Sequence, residues 1–407
     1  MEKIYNKLCL LFFVVFAMAG ASCEPSQGDL PCINVHNNYP EKETPITEFA
    51  SISYVHFDTQ DRNYLFRGTI NYVTKNTIVV FDRSSGSVLF FTRDGRPKSR
   101  FNRSGRGPGE YAPVSIFWAV YDEDHDEVFL FYSGFMSGTS SSILVYSSTG
   151  EYKRTISLPG RIEPFSPIEF DAQSLFFYDE QNRLDKSNRL LYNMEVPRYS
   201  HPYNSDYYRI SKADGSVLES VDFADDDIFW MSRSGRSATT ASVSRVGKAA
   251  SGLYICHAEV DTVFLYDGDL HPVICKTPLV SDLESKTILS SFVDAGRYQF
   301  VQTSTPYDGA QVPREDWPKY EAYYTYDTHT GEIFRQKISL PEYKDKVLHV
   351  FSYHTFYIGK ETIAIFSIDM VELKEAYSEG RLNGELKALV GRLDEDVDNI
   401  YLFARFK

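Results

Sequence analysis

The chain has 407 residues, 42 basic and 56 acidic side chains, and a formal net charge of −14. Its 24% charged and 43% apolar residues are those of a folded protein, which excludes a disordered, collagen-like or coiled-coil chain. The acidic balance lacks the clustered Lys and Arg that phosphate contacts need, so no nucleic-acid partner is expected, and past residue 25 no stretch is apolar enough to span a bilayer.

Residues 1–22 read as an export signal. Lys3 and Lys7 precede an unbroken apolar run from Leu8 to Ala19, and small residues then lead to Cys23. The string Ala19-Gly20-Ala21-Ser22-Cys23 resembles a bacterial lipoprotein processing site, with Gly20 where Leu is usual. That resemblance implies that Cys23 becomes the first mature residue and carries acyl chains, so membrane contact is only through a lipid anchor. Residues 23–48 are rich in Pro, Asn, Glu and Ser and are expected to form a flexible tether, with Cys32 inside it. Cys256 and Cys275 fall on strands separated by a third, about 10 Å apart on the usual strand spacing. A disulfide needs Cα atoms within about 7 Å. Both cysteines are therefore expected to be buried, free and apolar in character.

From residue 49 the chain is dense in short β runs, and helical periodicity is absent until about residue 371. One pattern recurs: an apolar triplet ending in an aromatic, a turn with Gly four or five residues on, then an alternating strand. It opens at Val88 (VLFFTRDGRPKSRF), Ile143 (ILVYSSTGEYKRTISLP), Tyr207 (YYRISKADGSVLESVDF) and Tyr323 (YYTYDTHTGEIFRQKISLP), with a degenerate copy at Val263 (VFLYDGDLHPVICKTPL). Aligning Phe91, Tyr146, Ile210, Tyr266 and Tyr326 gives intervals of 55, 64, 56 and 60. A period near 60 with several strands per unit predicts blades, each supplying strands b, c and d of a four-stranded antiparallel sheet, with strand a in the segment before. Five units are complete and a sixth lacks one strand. The orphan strand at 52–57 is expected to fill it and close a six-bladed β-propeller over residues 49–407. Such a ring grows past the usual limit of a single core because each blade packs only on its neighbours. Two β-sandwich domains are the alternative, but no linker-like break divides the body.

Residues 101–111 read FNRSGRGPGEY, between the first repeat and the strand run SIFWAVYDEDHDEVFLFY. This order resembles the six-bladed β-propeller lipoproteins of Gram-negative bacteria, in which an aromatic-Asp-x-x-Gly repeat leads into a Gly-x-Gly-Pro-Gly-Glu-Tyr segment. The ending DNIYLFARFK is similar as well, and the blade repeats are shared with NHL- and TolB-like propellers. The resemblance covers about residues 45–407; blade three departs from it with Ile210 in place of the aromatic. It implies the fold and an exported, outer-membrane address, facing the periplasm or the surface, and assigns little chemistry.

In a propeller the b-to-c and d-to-a connections emerge on one face. The b-to-c loops are long at 133–142, 179–206, 304–321 and 367–398, so binding is expected on that face and at the channel mouth. The GRGPGEY segment, a d-to-a connector, has two readings. In one, its glycines permit positive φ, Pro108 fixes the path, and Glu110 pairs with Arg106 structurally. In the other, its backbone N–H groups and Arg106, with Glu110 and Tyr111, meet an anionic or hydroxylated ligand. The third-blade loop contributes Tyr199 and Tyr203, and the fifth-blade loop Arg314, Asp316, Trp317 and Tyr320. Such aromatics suit stacking on sugar rings or contact with another protein, or else pin long loops to the ring.

Asp122, Asp124 and Asp126, and likewise Asp394, Asp396 and Asp398, alternate as calcium ligands do. Neither run has the Gly and Glu of a helix-loop-helix calcium site, so solvated hairpin turns are expected, and no metal or cofactor is assigned. His349 and His354 are separated by an odd number in a β run and face opposite sides. No serine elbow, zinc-protease or paired-cysteine motif occurs. Residues 371–393 hold the convincing helical pattern, interrupted at Gly380 and Gly384, and predict two short helices that bury Leu386, Leu389, Val390 and Leu393 on the ring.

The sequence thus points to a lipid-anchored envelope protein, expected as a monomer, whose ring binds a ligand, a glycan for instance, or an envelope protein, without catalysis. A glycan-active hydrolase or lyase on the same ring, and a scaffold component of a polysaccharide-uptake system, are the alternatives.

Overall fold

The computed structural model describes residues 30–67, 69–134, 140–160, 162–179, 205–223, 246–257, 260–277, 287–305, 312–393 and 399–407. They form six antiparallel sheets arranged as the blades of a propeller. Blade one is Ile70–Val73, Thr77–Asp82, Ser87–Thr92 and Pro97–Asn102. Blade two is Ile116–Asp122, Glu127–Tyr132, Ser142–Tyr146 and Tyr152–Ser157. Blade three is Pro164–Asp171, Ser174–Asp179, Tyr207–Ser211 and Val217–Val221. Blade four is Val246–Lys248, Leu253–Cys256, Thr262–Tyr266 and Leu270–Thr277. Blade five is Ile288–Ala295, Tyr298–Ser304, Glu321–Asp327 and Glu332–Leu340. Blade six is Thr355–Ile358, Glu361–Asp369 and Asn399–Phe406, and its outer strand is the N-terminal Ala50–Val55, which closes the ring as expected.

The middle strands are buried on both faces, as their unbroken apolar runs require. In Thr77–Asp82 every residue is buried: Val79 and Phe81 pack toward blade two, while Ile78 and Val80 pack toward blade six. The two-residue period of a strand thus feeds two different cores. Outer strands alternate instead, Phe101 pointing in while Lys98 and Arg100 stay on the wet side. The repeat glycine has a double cause. Gly95, Gly150 and Gly215 adopt φ of +86°, +83° and +78° in the c-to-d turns. A Cβ there would lie 2.2 Å from the His56 carbonyl, 2.4 Å from Phe101 and 2.4 Å from Ile156, all on the preceding blade. The sequence repeat is therefore the mark of blade-on-blade contact.

The N-terminal segment corrects the expected tether. From residue 30 it runs along the outside of the ring. Cys32–Asn34 joins blade four in parallel beside Cys275–Thr277, and Glu41–Pro45 joins blade five beside Arg335–Ser339. A turn of helix, Ile46–Phe49, then buries Ile46 and Phe49 before the chain enters blade six. The strap satisfies two outer sheet edges that water would otherwise occupy. Cys32 and Cys275 form a disulfide, with Cα atoms 4.4 Å apart. This overturns the expectation of a free Cys275, which weighed only cysteines of the ring body. Cys256 is buried and outside that disulfide, with the Thr262–Tyr266 strand between it and Cys275, as the spacing requires.

The C-terminal insert forms two helices, Met370–Ser378 and Gly384–Val390. Asp369 caps the first by accepting from the Val371 and Glu372 amides. Leu373, Ala376, Leu386, Leu389 and Val390 pack on Tyr343 and Leu348 between blades five and six. Leu393 is only partly buried there.

Candidate functional site

The inner strands of blades one, two, three, four and six touch around the channel, while that of blade five packs on the turn Ser352–His354. Ser291 of blade five holds that turn, its Oγ accepting from the Ser352 amide at 3.1 Å. Like that of blade five, the inner strands of blades one, two and three are bulged, these between Ile70 and Tyr72, Ile116 and Trp118, and Phe165 and Ile168. The last bulge places Ser166 at φ +52°, a left-handed conformation rare for a residue with a side chain. Bulges and backbone strain of this kind gather where side chains are re-aimed toward a site.

They border a cavity of about 350 Å³ in the channel, within the size range of small-ligand sites. Tyr72, Trp118, Tyr121, Phe356 and Tyr357 give it aromatic walls, and Ser166 lines it. Trp118 stands edge-on to Phe165 at 5.3 Å between ring centres, and Tyr72 edge-on to Phe356 at 6.3 Å, so neighbouring blades fix the walls. The lining reaches Thr74, Lys75, Glu123, Asp124 and Gly359, in the a-to-b turns. These turns lie at the end of the ring opposite the long b-to-c loops.

The charges around the cavity are ordered. Lys212, on a blade-three turn, is buried and reaches Asp122 Oδ2 of blade two and Glu169 Oε1 of blade three, each at 2.5 Å. Burial alone would push the Asp122 carboxyl up, but the hydrogen bond and charge of Lys212, with His125, hold it below its ordinary value. An acid held ionised in this way is not set as a proton donor. Glu123 also titrates below its usual range: burial opposes this, but bonds from Thr77, Thr74 and the Asn76 amide, with Lys98, prevail. Burial, with smaller contributions from Glu169 and Asp122, pushes the Tyr72 phenol far up, so it stays a neutral hydroxyl. Lys248 donates from Nζ to the Glu169 and Phe170 carbonyls at 2.7 and 2.6 Å. Burial lowers its pKa, partly offset by the more distant Glu169 and Asp171 carboxylates.

The residues singled out from sequence mostly sit elsewhere. The GRGPGEY connector locks blade one to blade two. Tyr111 is buried, and its hydroxyl donates to the Gly86 carbonyl at 2.7 Å. Gly109 has φ +70°, and its carbonyl accepts from Tyr146 Oη at 2.9 Å. Glu110 folds back to accept from the Gly107 amide at 2.8 Å, and Arg106 is exposed. The Arg106–Glu110 ion pair of the structural reading is not among the described ion pairs. Asp316 pairs with Lys319 on the surface, and Tyr320 is half-buried at the end of the 3-10 helix Arg314–Tyr320. None of Arg106, Glu110, Tyr111, Asp316 or Tyr320 lines the cavity. The side chains of Arg314 and Trp317, and all of Tyr199 and Tyr203, lie outside the described residues, as do Asp394, Asp396 and Asp398. Asp122 and Asp126 serve the hairpin between Ile116–Asp122 and Glu127–Tyr132, Asp126 accepting from the Ser148 amide at 3.0 Å. His349 stacks on Tyr323 with ring centres 3.9 Å apart.

Sequence reasoning missed Tyr72, Trp118, Glu169, Lys212 and Lys248. Lys212 stands in a polar turn that looks like any other, and nothing in one sequence joins residue 122 to residue 212.

Fold and channel together define a six-bladed propeller with a walled central cavity. The chain belongs to the family described as 6-bladed beta-propeller, DUF5128, whose model matches residues 24–230. That stretch holds the strap and the first three blades. Among solved structures, the chain is similar to a protein of Bacteroides fragilis described as exported, at 13% identity and a TM-score of 0.59, over 90% of this chain and 99% of that one. A DUF4221 member from Bacteroides vulgatus follows at 11% identity and a TM-score of 0.48, over 88% and 97%. No curated protein matches the chain in sequence.

Proposed function

We propose that this chain is an exported, lipid-anchored envelope protein whose ring holds a small polar ligand in its central channel, without chemistry of its own. The observation that carries the reading is the 350 Å³ cavity, walled by aromatic rings from neighbouring blades and bordered by oriented charges. Rings such as Trp118 and Tyr72 offer flat apolar faces to a sugar ring, while the charged groups meet hydroxyls. The Lys212 bridge argues against a glycan hydrolase at this position, because such an enzyme needs one carboxyl kept protonated. For export, the signal segment is supported by the Cys32–Cys275 bond, which belongs to an oxidising compartment.

The test is a thermal-shift screen of the processed chain against oligosaccharides and glycan fragments. A ligand of the native state raises Tm with concentration. We expect a rise with at least one glycan, weakened by Trp118→Ala. No rise with any small molecule would remove the channel reading and leave a protein partner on the b-to-c face. The address has its own test: Cys23→Ser should move the protein from the membrane to the soluble envelope fraction, and an unmoved protein would remove the lipid anchor.

A further inference from the structure

The cavity's charges are unequal in one respect. Asp122 and Glu169 are both occupied by Lys212, and Glu123 accepts from Asn76 and lies 3.8 Å from Lys98. Lys248 has no carboxylate within ion-pair distance among the described residues; its described partners are two backbone carbonyls. Those carbonyls take two of the three protons of an ammonium and fix the direction of the third. Lys248 lines the cavity, beside Ser166 and Pro167 of the strained bulge.

We propose that the channel takes a ligand bearing a carboxylate, with Lys248 as its counter-charge and the Trp118 and Tyr72 rings as its walls. This rests on the channel being a binding site at all. A half-buried ammonium held only by neutral carbonyls gains most from an incoming anion, because its own desolvation is already suffered in the empty protein. The neutral Tyr72 hydroxyl, which lines the same cavity, is a further donor and does not repel a carboxylate. Two sources share this chemistry, an acidic sugar of the hexuronate class and a simple aromatic acid. The cavity volume admits either one.

The experiment measures binding of D-glucuronate, benzoate and D-glucose to the full processed chain, by calorimetry and by thermal shift. A charge-assisted hydrogen bond implies that glucuronate binds at least about tenfold more tightly than glucose. Lys248→Gln should erase that preference, and Lys248→Arg should keep much of it. The wild-type comparison stands even if Lys248→Gln fails to fold. Benzoate displacing glucuronate supports the shared carboxylate site and points to an aromatic acid; glucuronate alone binding supports it and points to the sugar. Equal binding of glucuronate and glucose overturns the carboxylate proposal but keeps the channel reading. No binding of any of the three, with a neutral oligosaccharide raising Tm, overturns the proposal alone, and no rise with anything overturns both.

Discussion

Lys212 shows how one side chain ties two blades together. Its ammonium sits between Asp122 and Glu169, with the Lys212 and Asp122 side chains 6% and 5% exposed. Removing it in Lys212→Met leaves two carboxylates close together without the ammonium between them, at a cost of about 3–5 kcal/mol. The pH dependence has a definite sign. Because Asp122 titrates lower folded than unfolded, its stabilisation is present above the unfolded value and lost as pH falls through the folded one. In Lys212→Met that carboxyl protonates more readily, so the Tm gap to wild type should narrow between pH 7 and pH 4. A constant gap would show that Lys212 acts by packing alone. At Gly109, φ is +70° and a Cβ would lie 2.9 Å from Tyr152 Cγ. Gly109→Val should therefore lose about 2 kcal/mol or more, read as a lower urea midpoint. An unchanged midpoint would mean that the connector relaxes freely.

Among elements, the strap is the part whose attachment is most concentrated. Three residues of strand, five more beside blade five, and one disulfide hold residues 32–45. The Cys32–Cys275 bond spans 243 residues of sequence, a long loop whose closure restricts the unfolded chain strongly. Reduction, or Cys32→Ser, should cost about 2–5 kcal/mol. The direct check is Tm with and without reductant, and equal values would mean that the bond contributes nothing. Thiol titration of the denatured, unreduced chain from residue 24 should find one thiol, Cys256. Three reactive thiols would show that the bond does not form in the native protein.

For the whole molecule, closure is the decisive property. Blade six borrows Ala50–Val55 from the N-terminus, so the first and last strands of the body pair side by side. Ending the chain at residue 57 on its N-terminal side strips the outer edge of blade six and uncovers Leu402 and Ala404. That variant should lose its single cooperative transition, whereas a chain beginning at residue 46 should keep it at a lower Tm. Cooperative unfolding of both chains would show that the ring does not depend on this closure. The channel belongs to the same scale: five blades build its wall and no single blade carries it.

The ring was legible because its physics is local and repeated. An aromatic at the end of strand c and a glycine in the next turn recur near every 60 residues, since each blade meets the same neighbour. The orphan strand at 52–57 announced closure for the same reason: a β run needs a partner. The strap stayed hidden because Glu41–Pro45 is polar and ends in proline, and only the open edge of blade five makes it a strand. The Cys32–Cys275 pairing stayed hidden with it. The candidate site was decided by tertiary structure alone. The long loops drew attention to one face, while inner-strand bulges and the Lys212 bridge assembled a cavity reaching the other. Strand periodicity tells a sequence which side chains are inside, but which blades face each other across a channel is fixed only when the ring closes.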